Sequence, residues 1–184
     1  MKHIIKPALI LFFIAAFMTT LLGIVRSLTL EPIAINKKKA QVTAMKSVFP
    51  SATNFAEIEC PYTGNITGIY ESFSGIESIG YAIELEVEGY SGKINLILGI
   101  SKIDNTISGM RILKHSETPG LGALAVTEKF YKRYENKNAV QLNVVRNSPG
   151  ENDIEALTGA TITTKAVTAA VNEAVKWYNE AGVK

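Results

Sequence analysis

Residues 80–117 read GYAIELEVEGYSGKINLILGISKIDNTISGMRILKHSE. Tyr81, Ile83, Leu85 and Val87 alternate with Ala82, Glu84, Glu86 and Glu88. That period of two predicts a strand with one buried face. GYSG at 89–92 reads as a turn, after which Ile94, Leu96, Leu98 and Ile100 resume the alternation. Asp104 and Asn105 mark a second turn, and Ile107–Leu113 a third strand. Strands joined by such short polar turns form an antiparallel meander.

Outward from this core the pattern changes. GNITGIYESF at 64–73 suggests short strands in a polar stretch. GALAVTEKFYKRYEN at 122–136 predicts a helix and AVQLNVVRN at 139–147 a further strand. From Thr161 to Glu180, Val167, Val171, Ala174 and Tyr178 recur at helical spacing, and Gly182 supplies a stop. Strands in the middle with flanking helices predict an α+β class for residues 51–184, an antiparallel-sheet domain.

The N-terminal segment is different in kind. Lys2 and Lys6 precede an uncharged run from Pro7 to Val25, closed by Arg26. Nineteen residues at about 1.5 Å rise approach the ~30 Å hydrocarbon core of a bilayer. The run exceeds the ~7–15 residues of a signal peptide's apolar region, and no small-x-small cleavage site follows. Residues 1–27 are therefore expected to be a retained transmembrane anchor. Residues 28–50 read as a juxtamembrane connector interrupted by Pro32, then a helix with Val42, Met45 and Phe49 on one face, ended by Pro50. Basic residues flank the run on both sides, so charge does not orient it.

Composition excludes several classes. The chain has 184 residues, 47% hydrophobic and 20% charged, with a formal charge of +2. It carries no basic face with interleaved aromatics, so nucleic acid is not an expected partner. A single cysteine, Cys60, forbids an intrachain disulfide or a multi-cysteine metal site. His3 and His115 are far apart in sequence, and no metal site is expected.

Two stretches carry candidate chemistry. HSETPGLGA at 115–123 joins a strand to a helix, with Pro119 fixing its own backbone and Gly120 and Gly122 letting backbone amides approach a ligand. The plainer reading makes Thr118 an N-cap and Pro119 the first helical residue. LTGATITTKAV at 157–167 opens the last helix. Helix N-termini attract anions, and Thr158, Gly159, Thr161, Thr163 and Thr164 stand where a phosphate would sit; the plainer reading is a threonine cap. A threonine nucleophile needs an activating base, and none is adjacent.

Together the two segments resemble a known family. ETPGLG followed thirty-five residues later by LTGATITT is similar to the FMN-binding domain shared by the G subunit of the Rnf electron-transport complex and the C subunit of the Na⁺-translocating NADH:quinone reductase. The anchor and the GYSGKINLILGIS strand pair also fit, and the short length favours the Rnf G subunit. The family's attachment motif, [S/T]-G-A-T, falls on Thr158, Gly159, Ala160 and Thr161. The resemblance implies FMN joined by a phosphoester to Thr161, with Glu117, Thr118, Pro119, Gly120, Leu121 and Gly122 beside the flavin. His115, Thr163, Thr164 and Lys165 are further candidate contacts. The family often has Asp three residues before the motif, in a neighbourhood that a flavin transferase recognises; here that position is Glu155, with Asp153 two residues earlier.

By the same resemblance the chain is an electron carrier that does not catalyse alone. It belongs with other membrane and peripheral subunits of a complex coupling reduced ferredoxin and NAD to Na⁺ or H⁺ transport. The resemblance also implies a cell-membrane location, with the N-terminus cytoplasmic and the domain extracytoplasmic. The alternative is a membrane-anchored binding module with no redox role, whose two motifs are turns and caps or hold a phosphate-bearing ligand reversibly.

Overall fold

The computed structural model describes residues 2–59 and 64–180. Cys60 and Gly182 lie outside the described residues.

Helix α1, Lys2–Val48, is continuous through Pro7 and Pro32. The interruption expected at Pro32 does not occur. Each proline removes one amide donor and crowds the carbonyl four residues back, and a 47-residue helix absorbs two such local losses without ending. Its apolar segment is long enough to cross a membrane, with mean hydropathy 2.6. Tertiary contacts divide the chain after Ala40. Gln41–Val48 therefore belongs to the second unit, although it continues the same helix.

That unit is built on a five-stranded antiparallel sheet in the order β1 (Asn54–Glu57), β2 (Ile66–Ser74), β3 (Glu77–Glu88), β4 (Lys93–Ser101) and β5 (Ile107–Lys114). The registers Leu85↔Leu96, Ile83↔Leu98 and Leu98↔Met110 align the alternating apolar residues on one face. Helix α3, Thr161–Glu180, lies on that face and buries Val167, Val171, Ala174 and Tyr178 against it. Asn65 fastens this packing, giving its amide and its side-chain Nδ2 to Glu173 at 2.8 and 2.7 Å.

The opposite face is covered as well, which corrects the expectation of a strand with one buried face. Ala44, Met45 and Val48 from the end of α1, with Phe49 just beyond it, pack on Ala82 and Ile97. Phe49 sits over Gly80 and Gly99, where a β-carbon would come within 2.7 and 3.0 Å of its ring. Glu84, on this second face, is 9% exposed and accepts a hydrogen bond from Gln41 Nε2 at 2.7 Å.

Two further expectations are modified. Residues 122–136 form a 3₁₀ turn at Gly122–Val126 and a single helical turn, α2, at Glu128–Tyr131. Thr127 separates them with extended dihedrals, so no continuous helix forms. Segment 139–147 does not join the sheet. Only Asn143–Val145 is a strand, β6, and it pairs in parallel with β7, Asp153–Glu155. The preceding backbone is held by α3 instead: Asn172 exchanges hydrogen bonds with Leu142 N and O at 2.8 and 2.9 Å, and Asn179 donates to Ala139 O at 3.1 Å.

Candidate functional site

The two motifs are the same structure made twice. Leu121 N donates to Thr118 O at 3.2 Å, closing a β-turn in which Pro119 is second and Gly120, at φ +77°, is third. Ala160 N donates to Leu157 O at 2.9 Å, closing another with Gly159, at φ +75°, third. A left-handed residue in third place is the type II pattern and favours glycine. Thr118 is therefore the first residue of a turn and not an N-cap, and Pro119 is not a first helical residue. The turns touch: a β-carbon on Gly159 would stand 2.9 Å from Leu121 Cδ2.

Glu117 ties three segments together. Its side chain is buried, and Oε1 accepts from Tyr90 N and Ser91 N at 2.8 and 2.9 Å in the β3–β4 turn. Oε2 accepts from Thr163 Oγ1 at 2.6 Å in the first turn of α3. Three donors on one carboxylate compensate its burial. Gly122 permits this, because a β-carbon there would come within 2.3 Å of Oε2 and 2.7 Å of Thr163 Oγ1.

These ties shape a cleft of about 400 Å³, lined by Tyr90, Glu117, Thr118, Leu121, Gly122 and residues 159–163. Three apolar side chains stand partly in solvent around it: Tyr90 at 70% exposure, Ile162 at 56% and Leu121 at 45%. Its floor holds the start of α3. Thr164 N donates to Ala160 O at 3.1 Å, so Thr161 is the first helical residue. The first amides of α3 thus lack intrahelical acceptors. Among the described residues the half-buried Thr161 side chain has no hydrogen-bond partner, leaving its hydroxyl free in the cleft.

The expected site residues divide accordingly. Thr161, Gly159, Ala160, Glu117, Thr118, Leu121, Gly122 and Thr163 line the cleft. Thr163 spends its hydroxyl on Glu117, and Thr164 is fully buried, accepting from Leu157 N and donating to Ala160 O, both at 3.1 Å. Neither hydroxyl is offered to a ligand. Pro119, Gly120, His115 and Lys165 are not in the lining; His115 Nδ1 accepts Glu117 N at 3.2 Å. Thr158 is exposed in an adjoining hollow of about 300 Å³, shared with Arg146, Asn147, Gly159 and Thr161.

Tyr90, Ile162 and Arg146 are residues that sequence reasoning missed. Ile162 carried a signal: an apolar residue off the buried face of an amphipathic helix. Tyr90 carried none beyond its place in a turn.

A family model described as an FMN-binding domain matches residues 89–176, and a second, described as the RnfG N-terminal region, matches residues 1–48. The G subunit of an ion-translocating oxidoreductase complex from Methanosarcina acetivorans is 32% identical over 97% of this chain and 96% of its own length. The G subunit of a Na⁺-translocating ferredoxin:NAD⁺ oxidoreductase complex from Acetobacterium woodii is 33% identical, covering 96% of this chain and 92% of that protein. Among solved structures, Shewanella oneidensis NqrC superposes with a TM-score of 0.53 at 18% identity over 74% of each chain. The C subunit of a Na⁺-translocating NADH-quinone reductase from Parabacteroides distasonis gives 0.52 at 22% over 60% of each. Those two likenesses concern the fold.

Proposed function

Because the chain belongs to the G-subunit family of ion-translocating oxidoreductase complexes, we propose that it is a membrane-anchored electron carrier in a ferredoxin:NAD⁺ oxidoreductase of the Rnf type, with FMN tied through its phosphate to Thr161. The observation that carries the attachment is the position of Thr161. It is the one threonine of the motif whose side chain is in the cleft, at the helix N-terminus, without a hydrogen bond among the described residues.

The residues present fit the cofactor. The cleft lies within the ~300–1,000 Å³ range of small-molecule sites. Tyr90, Leu121 and Ile162 offer apolar surface to a flat ring, and the open amides of α3 offer donors to a phosphate. When bound, FMN supplies the electron-transfer chemistry itself. The chain's own residues hold and orient it: Glu117 fixes the relation of the three turns, and the glycines let the turns meet. Forming the tether is phosphoryl transfer from an activated flavin phosphate. The Thr161 Oγ–P bond forms, the bond from phosphorus to the leaving nucleotide breaks, and the hydroxyl proton passes to a base on the transferase. The sequence places no activating base adjacent to Thr161, so the base is assigned to a second enzyme, the transferase.

The proposal extends to the remainder of the chain. Residues 1–27 anchor it with the N-terminus cytoplasmic, and the domain is extracytoplasmic. Other subunits supply the nicotinamide site and the ion path.

The test is co-expression with a flavin transferase, followed by a denaturing gel viewed for flavin fluorescence. The wild-type and Thr158→Ala chains are expected to fluoresce and Thr161→Ala to be dark. A dark wild-type band beside an active transferase would favour the binding-module alternative.

A further inference from the structure

The hollow beside the cleft holds a cation that the fold has left without a counter-charge. Between Lys137 and Lys165 the sequence has a single basic residue, Arg146, and three acids, Glu151, Asp153 and Glu155. Each acid is engaged elsewhere. Glu155 Oε2 is 3.7 Å from Arg133, Glu151 Oε1 accepts from Asn138 at 3.3 Å, and Asp153 Oδ2 accepts from Gly150 N at 2.9 Å. Among the described residues Arg146 has no ion pair and no side-chain hydrogen bond, and no carboxylate lines its hollow.

Its position follows from the parallel ladder. β6 and β7 pair Val145 with Glu155, and Ala156 N then donates to Val145 O at 2.8 Å. The residue after Val145 is thereby set beside Ala156–Leu157, the two residues that lead into the Thr158–Thr161 turn. Thr161 lines both the cleft and this hollow, so an anion on its hydroxyl oxygen would stand at their junction. In the cleft the one charged group among the described residues is Glu117, and its oxygens already accept three hydrogen bonds. Among the described residues that line the cleft and the hollow, Arg146 is therefore the one cation.

We propose that Arg146 is the counter-cation of the flavin phosphate. It holds the phosphodiester on the hollow side of Thr161, and so directs the ring into the apolar cleft. This rests on attachment at Thr161. The residue is a positioning group that acts on the phosphate and takes no part in electron transfer. A guanidinium suits the role because it presents two parallel donors to two phosphate oxygens.

The test uses the full chain in detergent, loaded by a flavin transferase, and phosphorus NMR. Wild type should give one phosphodiester resonance. In Arg146→Gln that resonance should move by more than its linewidth and loading should slow by at least roughly tenfold, the lower end for losing hydrogen bonds to a charged group. Lys165→Gln should match wild type, and after denaturation all spectra should coincide. A native Arg146→Gln spectrum that overlays wild type overturns the role of Arg146 and leaves the tether standing. No phosphodiester signal in wild type overturns the tether itself. If Arg146→Gln folds but does not load, loading of Arg146→Lys supports the requirement for positive charge, and failure of both overturns it.

Discussion

At the scale of single residues, Glu117 holds the site together. It joins the β3–β4 turn, its own loop and the first turn of α3 through three hydrogen bonds. Truncating it would leave those donors facing a small cavity. Glu117→Ala is expected to cost about 2–3 kcal/mol, read as a lower urea midpoint at unchanged slope, with Glu117→Gln milder because one oxygen still accepts. An unchanged midpoint in Glu117→Ala would contradict this role. Gly122→Ala tests the same junction sterically. A methyl group 2.3 Å from Glu117 Oε2 forces the carboxylate away from Thr163, and flavin loading should fall sharply. Gly68→Ala, whose nearest neighbour would be the end of the Tyr70 ring, should load normally. The motif residues were legible in the sequence because each turn is local: a proline or threonine, then a glycine at positive φ. Tyr90 and Arg146 were not, because they reach the site through a strand hairpin and a parallel ladder. Those are long-range pairings that local patterns do not reveal.

At the scale of elements, the middle strands and α3 were the most legible, for one physical reason. Each shows a regular apolar period on the face that meets the main core, two in β3 and β4 and about 3.6 in α3. The burial of Glu84 was not legible, since a glutamate in an alternating strand reads as solvent-facing. It is covered by the end of α1, whose Gln41 provides a hydrogen bond. Segment 139–147 has the composition of a strand, yet only Asn143–Val145 pairs as one, and Ala139 and Leu142 are held by asparagine side chains of α3. Asn172→Ala removes a reciprocal pair to Leu142 and should cost about 1–2 kcal/mol. Amide hydrogen exchange should report faster opening at Leu142 in that variant. Exchange as slow as in wild type would mean that the segment is held by something else.

At the scale of the whole molecule, the sheet is a platform covered on both faces, with the site at the ends of its turns. Several tyrosines pack into it, and burial raises their phenols. Tyr81 is pushed up to about 12, first by burial and then by the Glu71 carboxylate; Tyr131, Tyr134 and Tyr178 are also raised, chiefly by burial. An unfolded phenol loses its proton near 10.0, before the folded one, so above that pH the unfolded chain binds fewer protons. The stability linked to these groups is therefore fully present below about pH 10 and is lost as pH rises toward the folded values. Urea midpoints should be flat through neutral pH and fall in this alkaline window, in step with phenolate absorbance. A midpoint that holds while the phenols ionise would contradict the linkage.

Membership of a subunit family, an apolar anchor and a cleft with a free threonine at a helix start converge on one claim, a flavin fixed at Thr161. Trypsin cleaves after Arg146 and Lys165, so one peptide, residues 147–165, carries both Thr158 and Thr161. Tandem mass spectrometry of that peptide, from protein matured with a flavin transferase, tests the claim most directly. The account predicts an added mass of FMN less one water, localised to Thr161. An adduct localised to Thr158, or an unmodified peptide from protein exposed to active transferase, would contradict it.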